Sequence, residues 1–207
     1  MLKNTDNNYF TPEEYNNLIR LNQEDKNKKL TYIYSTGKTE QHTYITAAKN
    51  KGYDVLLMEG IMDMHFLNFV EQKWENTHFV RVDADIADKL IEKDEVREMN
   101  LSDEDKETLK TIIESQLPKE SFTIQFESLN EKEAPVIITK PEFMRRMKDM
   151  SAIGGGYGFM DNMPEHCNAV VNANHPVIKK ILAEQDTIVK NSLIRQTFKL
   201  NSEAFFW

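Results

Sequence analysis

Three short runs of strand-forming residues, separated by helical stretches, constrain the fold of the first half of the chain. The runs are 30–34, 53–58 and 79–82, and each is rich in β-branched, aromatic or other large apolar residues. The stretches between them, 39–51 and 63–74, carry apolar residues at helical spacing. Because strand and helix alternate, the sequence predicts a small parallel sheet with helical crossovers.

The helix predicted over 63–74 carries more large apolar residues than one buried face needs. We expect Phe66, Leu67 and Val70 to face inward. Trp74, together with Phe66 and Phe69, is open to two interpretations, a second exposed apolar contact or packing under the sheet. Packing is favoured, since large apolar side chains are mostly buried.

Polar segments flank this sheet on both sides. Residues 1–29 are predicted to form a connector with a short helix, which begins at a capping box made by Thr11 and Glu14, and 22–29 to be solvated. After the sheet, a short helix is predicted over 86–91. A longer helix begins after Ser102 and ends before Pro118.

The second half predicts a different arrangement, with a boundary in the charged patch before residue 100. Strands are expected over 122–126, 134–138 and 168–172, with a turn at 130–133 between the first two. Helices follow from His175 to Leu182 and over 185–200. The fold class is therefore α/β followed by α+β. The expected domains are 1–29, 30–99 and 100–207.

A methionine-rich helix followed by a glycine run is the most distinctive stretch. Thr139 and Glu142 mark its start, and one apolar face follows, made by Phe143, Met144, Met147 and Met150. Further large apolar residues are interleaved with the glycines: Ile153, Tyr157, Phe159 and Met160. Two interpretations stand: a core helix followed by a loop, or an adaptable surface for apolar partners.

Composition excludes several classes of partner. The net charge is −8 and basic residues are not clustered, so we expect no binding to nucleic acid. Cys167 is the single cysteine, which excludes an internal disulfide. No apolar run has the length of a membrane span, and the N-terminus lacks a signal region. We therefore expect a cytoplasmic protein that does not bind membranes.

Candidate catalytic features are weak. The residues Gly37-Lys38-Thr39 follow a strand, but a phosphate-binding loop needs a glycine where Tyr32 stands. Asp83 and Asp85 follow another strand and could hold a hard cation, but Asp85 and Asp88 are better explained as residues that favour a helix N-terminus. The histidines show no metal-ligand spacing, and Cys167 is expected to be a small buried side chain. A small α/β enzyme that binds nucleotide or phosphate is the alternative function.

Five segments, in order, resemble the heat-shock protein 90 chaperones of the bacterial HtpG type. The resemblance covers about residues 9–195 and rests on Tyr32-Ile33-Tyr34-Ser35-Thr36-Gly37-Lys38, Lys51-Gly52-Tyr53-Asp54-Val55-Leu56-Leu57-Met58, Ala134-Pro135-Val136-Ile137-Ile138-Thr139, Phe143-Met144-Arg145-Arg146-Met147-Lys148, and Asn172-Ala173-Asn174-His175-Pro176-Val177-Ile178-Lys179.

The resemblance implies a role in binding unfolded or partly folded client proteins. It implies that 30–99 is the αβα end of a middle domain and that 100–207 is a shortened dimerisation domain. It places the eight apolar residues of 143–160 named above in client binding, against the core interpretation. It also implies the start of a dimerisation helix bundle, with an interface made by Ile188, Leu193, Ile194 and Phe198.

The family's ATP-binding domain has no counterpart in these segments. The resemblance therefore implies no cofactor and no enzymatic activity for this chain, although the full-length family uses ATP and Mg. It also implies a homodimer that is weakened, because 201–207 do not resemble the second helix of the bundle.

Overall fold

The computed structural model describes residues 1–60, 62–91, 98–99, 101–117, 122–141 and 167–201. The described residues belong to two compact units, of which the first contains 1–91 and the second contains 98–141 and 167–201. Each unit has its own sheet and its own buried core.

The first unit is built on a parallel sheet of three strands in the order β4-β3-β5. The sheet that the alternation of strands and helices predicts is thus confirmed. Its elements, with those that precede it, are β1 Leu2–Lys3, β2 Tyr9–Phe10, α1 Pro12–Gln23, β3 Leu30–Ser35, α2 His42–Asn50, β4 Val55–Leu57, α3 Asp63–Lys73 and β5 Thr77–Arg81.

The central strand β3 is buried along its whole length and separates two cores. Successive side chains of a strand point to opposite faces. Tyr32 and Tyr34 therefore join a core with residues of α1 and α3, and Ile33 joins one with residues of α2. Helices on both faces cover the sheet, as parallel sheets require.

The segment predicted as a connector packs on this sheet. Thr11 and Glu14 form the predicted capping box, in which the Glu14 N–H donates to Thr11 Oγ1 over 3.3 Å and the Thr11 N–H to Glu14 Oε2 over 2.7 Å. Tyr15 and Ile19 of α1 lie in the core. The helix extends to Gln23, which is fully buried, so the prediction that residues 22–29 are all solvated is wrong.

Residues 86–91 form turns, and the short helix predicted there is wrong. The Lys89 and Leu90 N–H groups both donate to the Ile86 carbonyl. Ile86, Leu90 and Ile91 are all buried. A run of six residues gains little from helical hydrogen bonding, and here the burial of three apolar side chains decides the backbone path.

The second unit contains a mixed sheet of three strands in the order β6-β8-β7. Its strands and helices are α4 Asp103–Gln116, β6 Phe122–Glu127, β7 Val136–Thr139, β8 Cys167–Asn172, α5 Pro176–Ala183 and α6 Thr187–Asn201. β8 lies parallel to β6 and antiparallel to β7.

The strands joined through the predicted turn at 130–133 do not pair with each other, because β8 lies between them. β8 is buried along almost its whole length, with Ala169, Val170 and Val171 at 1% exposure or less. A strand buried on both faces belongs in the centre of a sheet. Ser102 caps α4 as predicted, since its Oγ accepts the Asp105 N–H over 3.1 Å.

His175 caps α5, and this cap makes the stability of the second unit depend on pH. Nδ1 of His175 accepts the Val177 N–H over 3.1 Å, and burial lowers the pKa of the imidazole below its ordinary value of 6.5. The unfolded chain therefore binds the proton more readily. We expect the free energy of unfolding to fall as the pH drops through about 6.5. The decrease should be smaller than the roughly 1 kcal/mol that complete loss of a side-chain helix cap costs.

Denaturant unfolding at about pH 7.5 and pH 5.5 checks this expectation, with His175→Asn as the control. Asparagine keeps a side-chain acceptor at the cap but does not titrate. The variant should lose part of the pH dependence. An identical pH dependence in both proteins contradicts the assignment.

Candidate protein-binding surface

Helix α3 has two apolar faces, and only one of them is used inside its unit. Leu67 and Val70 are buried at 0% and 3% exposure and pack on the sheet. Met62, Phe66 and Phe69 follow i, i+4, i+7 spacing and lie on another side, with exposures of 67%, 41% and 60%. We call these three residues the α3 apolar face.

Local contacts define the two ends of α3. The Asp63 carboxylate accepts the Gly60 N–H over 2.8 Å at the start of the helix. At its end, the Trp74 N–H donates to the Val70 carbonyl over 2.8 Å. The Lys73 ammonium lies 5.9 Å from the centre of the Phe69 ring. The burial of Leu67 and Val70 turns the α3 apolar face towards solvent.

The sequence predictions for this helix are confirmed in part. Trp74 is partly buried and packs on the core, with its ring 5.9 Å from the Tyr32 ring, so the packing interpretation is right for Trp74. The inward orientation predicted for Phe66 is wrong. Leu67 and Val70 fix which side of the helix meets the sheet, and Phe66 lies at the edge of that side, about 70° around the helix axis from the midpoint between them.

The eight residues of 143–160 predicted to bind clients lie outside the described residues. Their role stays a prediction.

The residues predicted for a dimer interface occupy different environments. Ile194 and Phe198 are 2% and 4% exposed and belong to the core of their own unit, and Leu193 is partly buried against it. Ile188 is 78% exposed. Val189, which the sequence did not single out, is 43% exposed beside it. The start of α6 therefore carries the apolar surface that is available to another molecule.

The loop containing Lys38 does not offer a phosphate cradle. A phosphate site at such a loop needs free backbone N–H groups. Here the Thr36 N–H donates to Gln41 Oε1 over 2.9 Å and the Gly37 N–H to Ser35 Oγ over 3.2 Å. The Lys38 ammonium donates to Asn7 Oδ1 over 3.0 Å.

The other candidate catalytic side chains have structural roles. Asp83 is buried and accepts two hydrogen bonds from Arg81, over 2.5 and 2.7 Å. Asp85 accepts the Ile86 N–H over 2.7 Å. Cys167 is buried, as predicted. In the part of the chain that the structure describes, no three metal-binding side chains cluster, and no helix has the length and apolar character of a membrane span.

Comparison with known proteins identifies relatives over nearly the whole chain. It is 43% identical over 189 residues to the chaperone protein HtpG of Bacteroides thetaiotaomicron, which covers 90% of this chain and 28% of that protein. The HtpG of Bacteroides fragilis strain YCH46 matches to the same extent. The HtpG of Porphyromonas gingivalis is 39% identical over 198 residues, covering 94% of this chain and 29% of the relative. No family model matches.

The chain belongs to the HtpG type of the heat-shock protein 90 family. The resemblance seen in five sequence segments is thereby confirmed. The chain spans less than a third of the length of these relatives, 28–29%.

Substitution on the α3 apolar face should leave the fold intact. We expect Phe66→Ser/Phe69→Ser to change the free energy of unfolding by less than about 1 kcal/mol, because both side chains are exposed. Leu67→Ala on the buried side should cost about 2 to 5 kcal/mol. Denaturant unfolding measures both. A loss for the double variant as large as that for Leu67→Ala would show that the face is packed rather than exposed.

Proposed function

We propose that this chain is the client-binding part of a molecular chaperone of the HtpG type, acting in protein folding and the stress response. Its ligands are unfolded or partly folded proteins, recognised by their exposed apolar side chains. The observation that carries the proposal is the α3 apolar face, because two phenylalanines of the helix and the methionine at its N-cap position are exposed to solvent. The names of the curated relatives support it.

The composition of this face suits ligands of varied sequence. Each Å² of apolar surface that association removes from water contributes about 25 cal/mol, and this contribution does not depend on the sequence of the ligand. Phenylalanine supplies large area, and methionine adapts its shape to irregular partners. The predicted second contact is the stretch from Phe143 to Met160, which repeats this composition.

We further propose that client binding by this chain needs no nucleotide and that the chain does not hydrolyse ATP. The support is the Lys38 loop, in which the Thr36 and Gly37 N–H groups donate to side chains of the protein itself. The described residues therefore do not support the alternative function, a small α/β enzyme that binds nucleotide or phosphate. ATP and Mg remain cofactors proposed for the full-length family only.

Suppression of aggregation tests the proposed function. An unfolded protein is diluted into buffer containing the chain without nucleotide, and light scattering follows its aggregation. We expect the parent chain to suppress scattering, and Phe66→Ser/Phe69→Ser and Met144→Ser/Met147→Ser each to weaken suppression several-fold, since each removes apolar contact area.

Leu18→Ser/Leu21→Ser is the matched control. These leucines of α1 are 49% and 90% exposed in the same unit, so the substitution removes apolar side chains at least as accessible as Phe66 and Phe69 from another surface. It should leave suppression unchanged. Equal suppression by all four proteins contradicts both proposed contacts.

We also propose that the start of α6 contributes to a homodimer. Ile188 and Val189 are exposed there, whereas Ile194 and Phe198 hold the same helix on its own unit. The helix is thus anchored by its second half, and the exposed apolar side chains at its start can contact a second copy of the chain. Residues buried in the unit's own core contribute to the interface only by fixing the direction of the helix.

Light scattering of the chain in solution tests dimer formation. We expect a mass near twice the 24.2 kDa of one chain at high concentration. Ile188→Glu/Val189→Glu should shift the mass towards the monomer, because it places charges in an apolar contact. Leu21→Glu, on an exposed position of α1, should not. A parent chain that stays monomeric at every concentration rules out this role of α6.

A further inference from the structure

Residues 2–10, called the N-terminal strap below, lie along the outer edge of the first sheet. β1 and β2 pair antiparallel within the strap. Between them, Asn4 bridges Leu56 of β4, and the Thr5 N–H donates to the Val55 carbonyl over 2.8 Å. β4 is an end strand of the sheet. Its outer N–H and C=O groups could therefore pair with another strand if the strap did not cover them.

Backbone pairing alone holds the strap weakly. β1 and β2 contain two residues each, and an isolated two-stranded hairpin is marginally stable in water. The attachment therefore depends on side chains. Leu2 packs in the core, and Asn4 is 2% exposed although it is polar.

The Asn4 side chain uses its donor and its acceptor for different tasks. Its Oδ1 accepts the Asp6 and Asn8 N–H groups over 3.0 and 2.9 Å, which shapes the turn of the strap. Its Nδ2 donates to Asp54 Oδ2 over 2.8 Å, which attaches that turn to the residue before β4. An aspartate at position 4 would keep the first function and lose the second.

Asp54 joins the strap to α1 as well as to the sheet. Its Oδ1 accepts the Tyr15 hydroxyl over 2.9 Å. Burial raises the pKa of Asp54, as does the Asp6 carboxylate, whereas hydrogen bonds from Asn4 and Tyr15 and the charge of Lys49 lower it. The carboxylate is thus held in a partly desolvated position by two donors from different elements.

We propose that the N-terminal strap opens as a unit of its own and that the latch that keeps it closed is the part-buried Asn4–Asp54 hydrogen bond, not the exposed contacts of Asp6 with Lys49 and of Asn7 with Lys38. Opening uncovers the outer edge of β4, Val55–Leu57, while the rest of the sheet stays folded. Segments with few backbone contacts open before the core does.

The substitution Asn4→Asp tests the latch, because its effect on the hydrogen bond should depend on pH. At about pH 7 two carboxylates face each other, so the donor is lost and like charges repel. Near pH 4.5 the pair can share one proton and restore a hydrogen bond. We expect the hydrogen-exchange protection of the Thr5 amide to fall about tenfold or more at the higher pH and to recover at the lower.

In the parent chain the same amide should stay protected at both pH values. A proton taken up by Asp54 can lie on the oxygen that faces Tyr15, because a phenol hydroxyl also accepts. The Asn4 contact then survives.

Asn8→Asp is the matched control, since it makes the same chemical change in the same strap at an exposed position. It should leave Thr5 protected. The proposal is overturned if Thr5 stays protected at neutral pH in Asn4→Asp, or if Asn8→Asp opens the strap equally. It is also overturned if the β3 amides lose protection together with Thr5, because the opening is then global.

Discussion

The first unit depends on a strand that is buried on both faces. Every residue of β3 lies inside the protein, so both sides of the sheet must be covered by helices. The alternation of Tyr32, Ile33 and Tyr34 sends side chains into two cores and fixes which helix meets which face. The Tyr32 ring packs with the rings of Phe79 and Trp74, at centroid distances of 4.7 and 5.9 Å.

This constraint leads to the proposed function through α3. The sheet accepts Leu67 and Val70, and the helical geometry then places Phe66 and Phe69 in solvent. A helix that served only stability would carry polar residues there. The apolar face therefore contributes little to folding and supports a role in binding other proteins. In the second unit, α6 shows the same division between Phe198 in the core and Ile188 outside it.

Sequence patterns predicted most of the elements, since strong local signals decide them. The capping box at Thr11 and the cap at Ser102 mark the helix starts correctly, and the apolar runs mark the strands. The errors have tertiary causes. The strand order of the second sheet follows from the burial of β8, which local pairing rules do not reveal. Residues 86–91 lost their predicted helix to burial in the core.

The candidate surface was less predictable than the fold. Large apolar side chains on a helix are normally assigned to the core, so the sequence predicts an inward orientation for Phe66 and assigns no role to Met62. The spacing of Met62, Phe66 and Phe69 was a signal that a second face exists. Which face is buried depends on where the sheet lies, and this information is not local. The Asn4–Asp54 contact joins residues distant in sequence, so no local sequence motif predicts it.

The central claim is that ordered apolar side chains on α3 bind unfolded polypeptide. NMR titration of the full chain with a permanently unfolded protein tests it most directly, through methyl and aromatic signals. The account predicts shifts centred on Met62, Phe66 and Phe69 and on the stretch from Phe143 to Met160. Shifts confined to other exposed apolar residues, such as Leu18 and Leu21, or no shifts at saturating concentration, would contradict it.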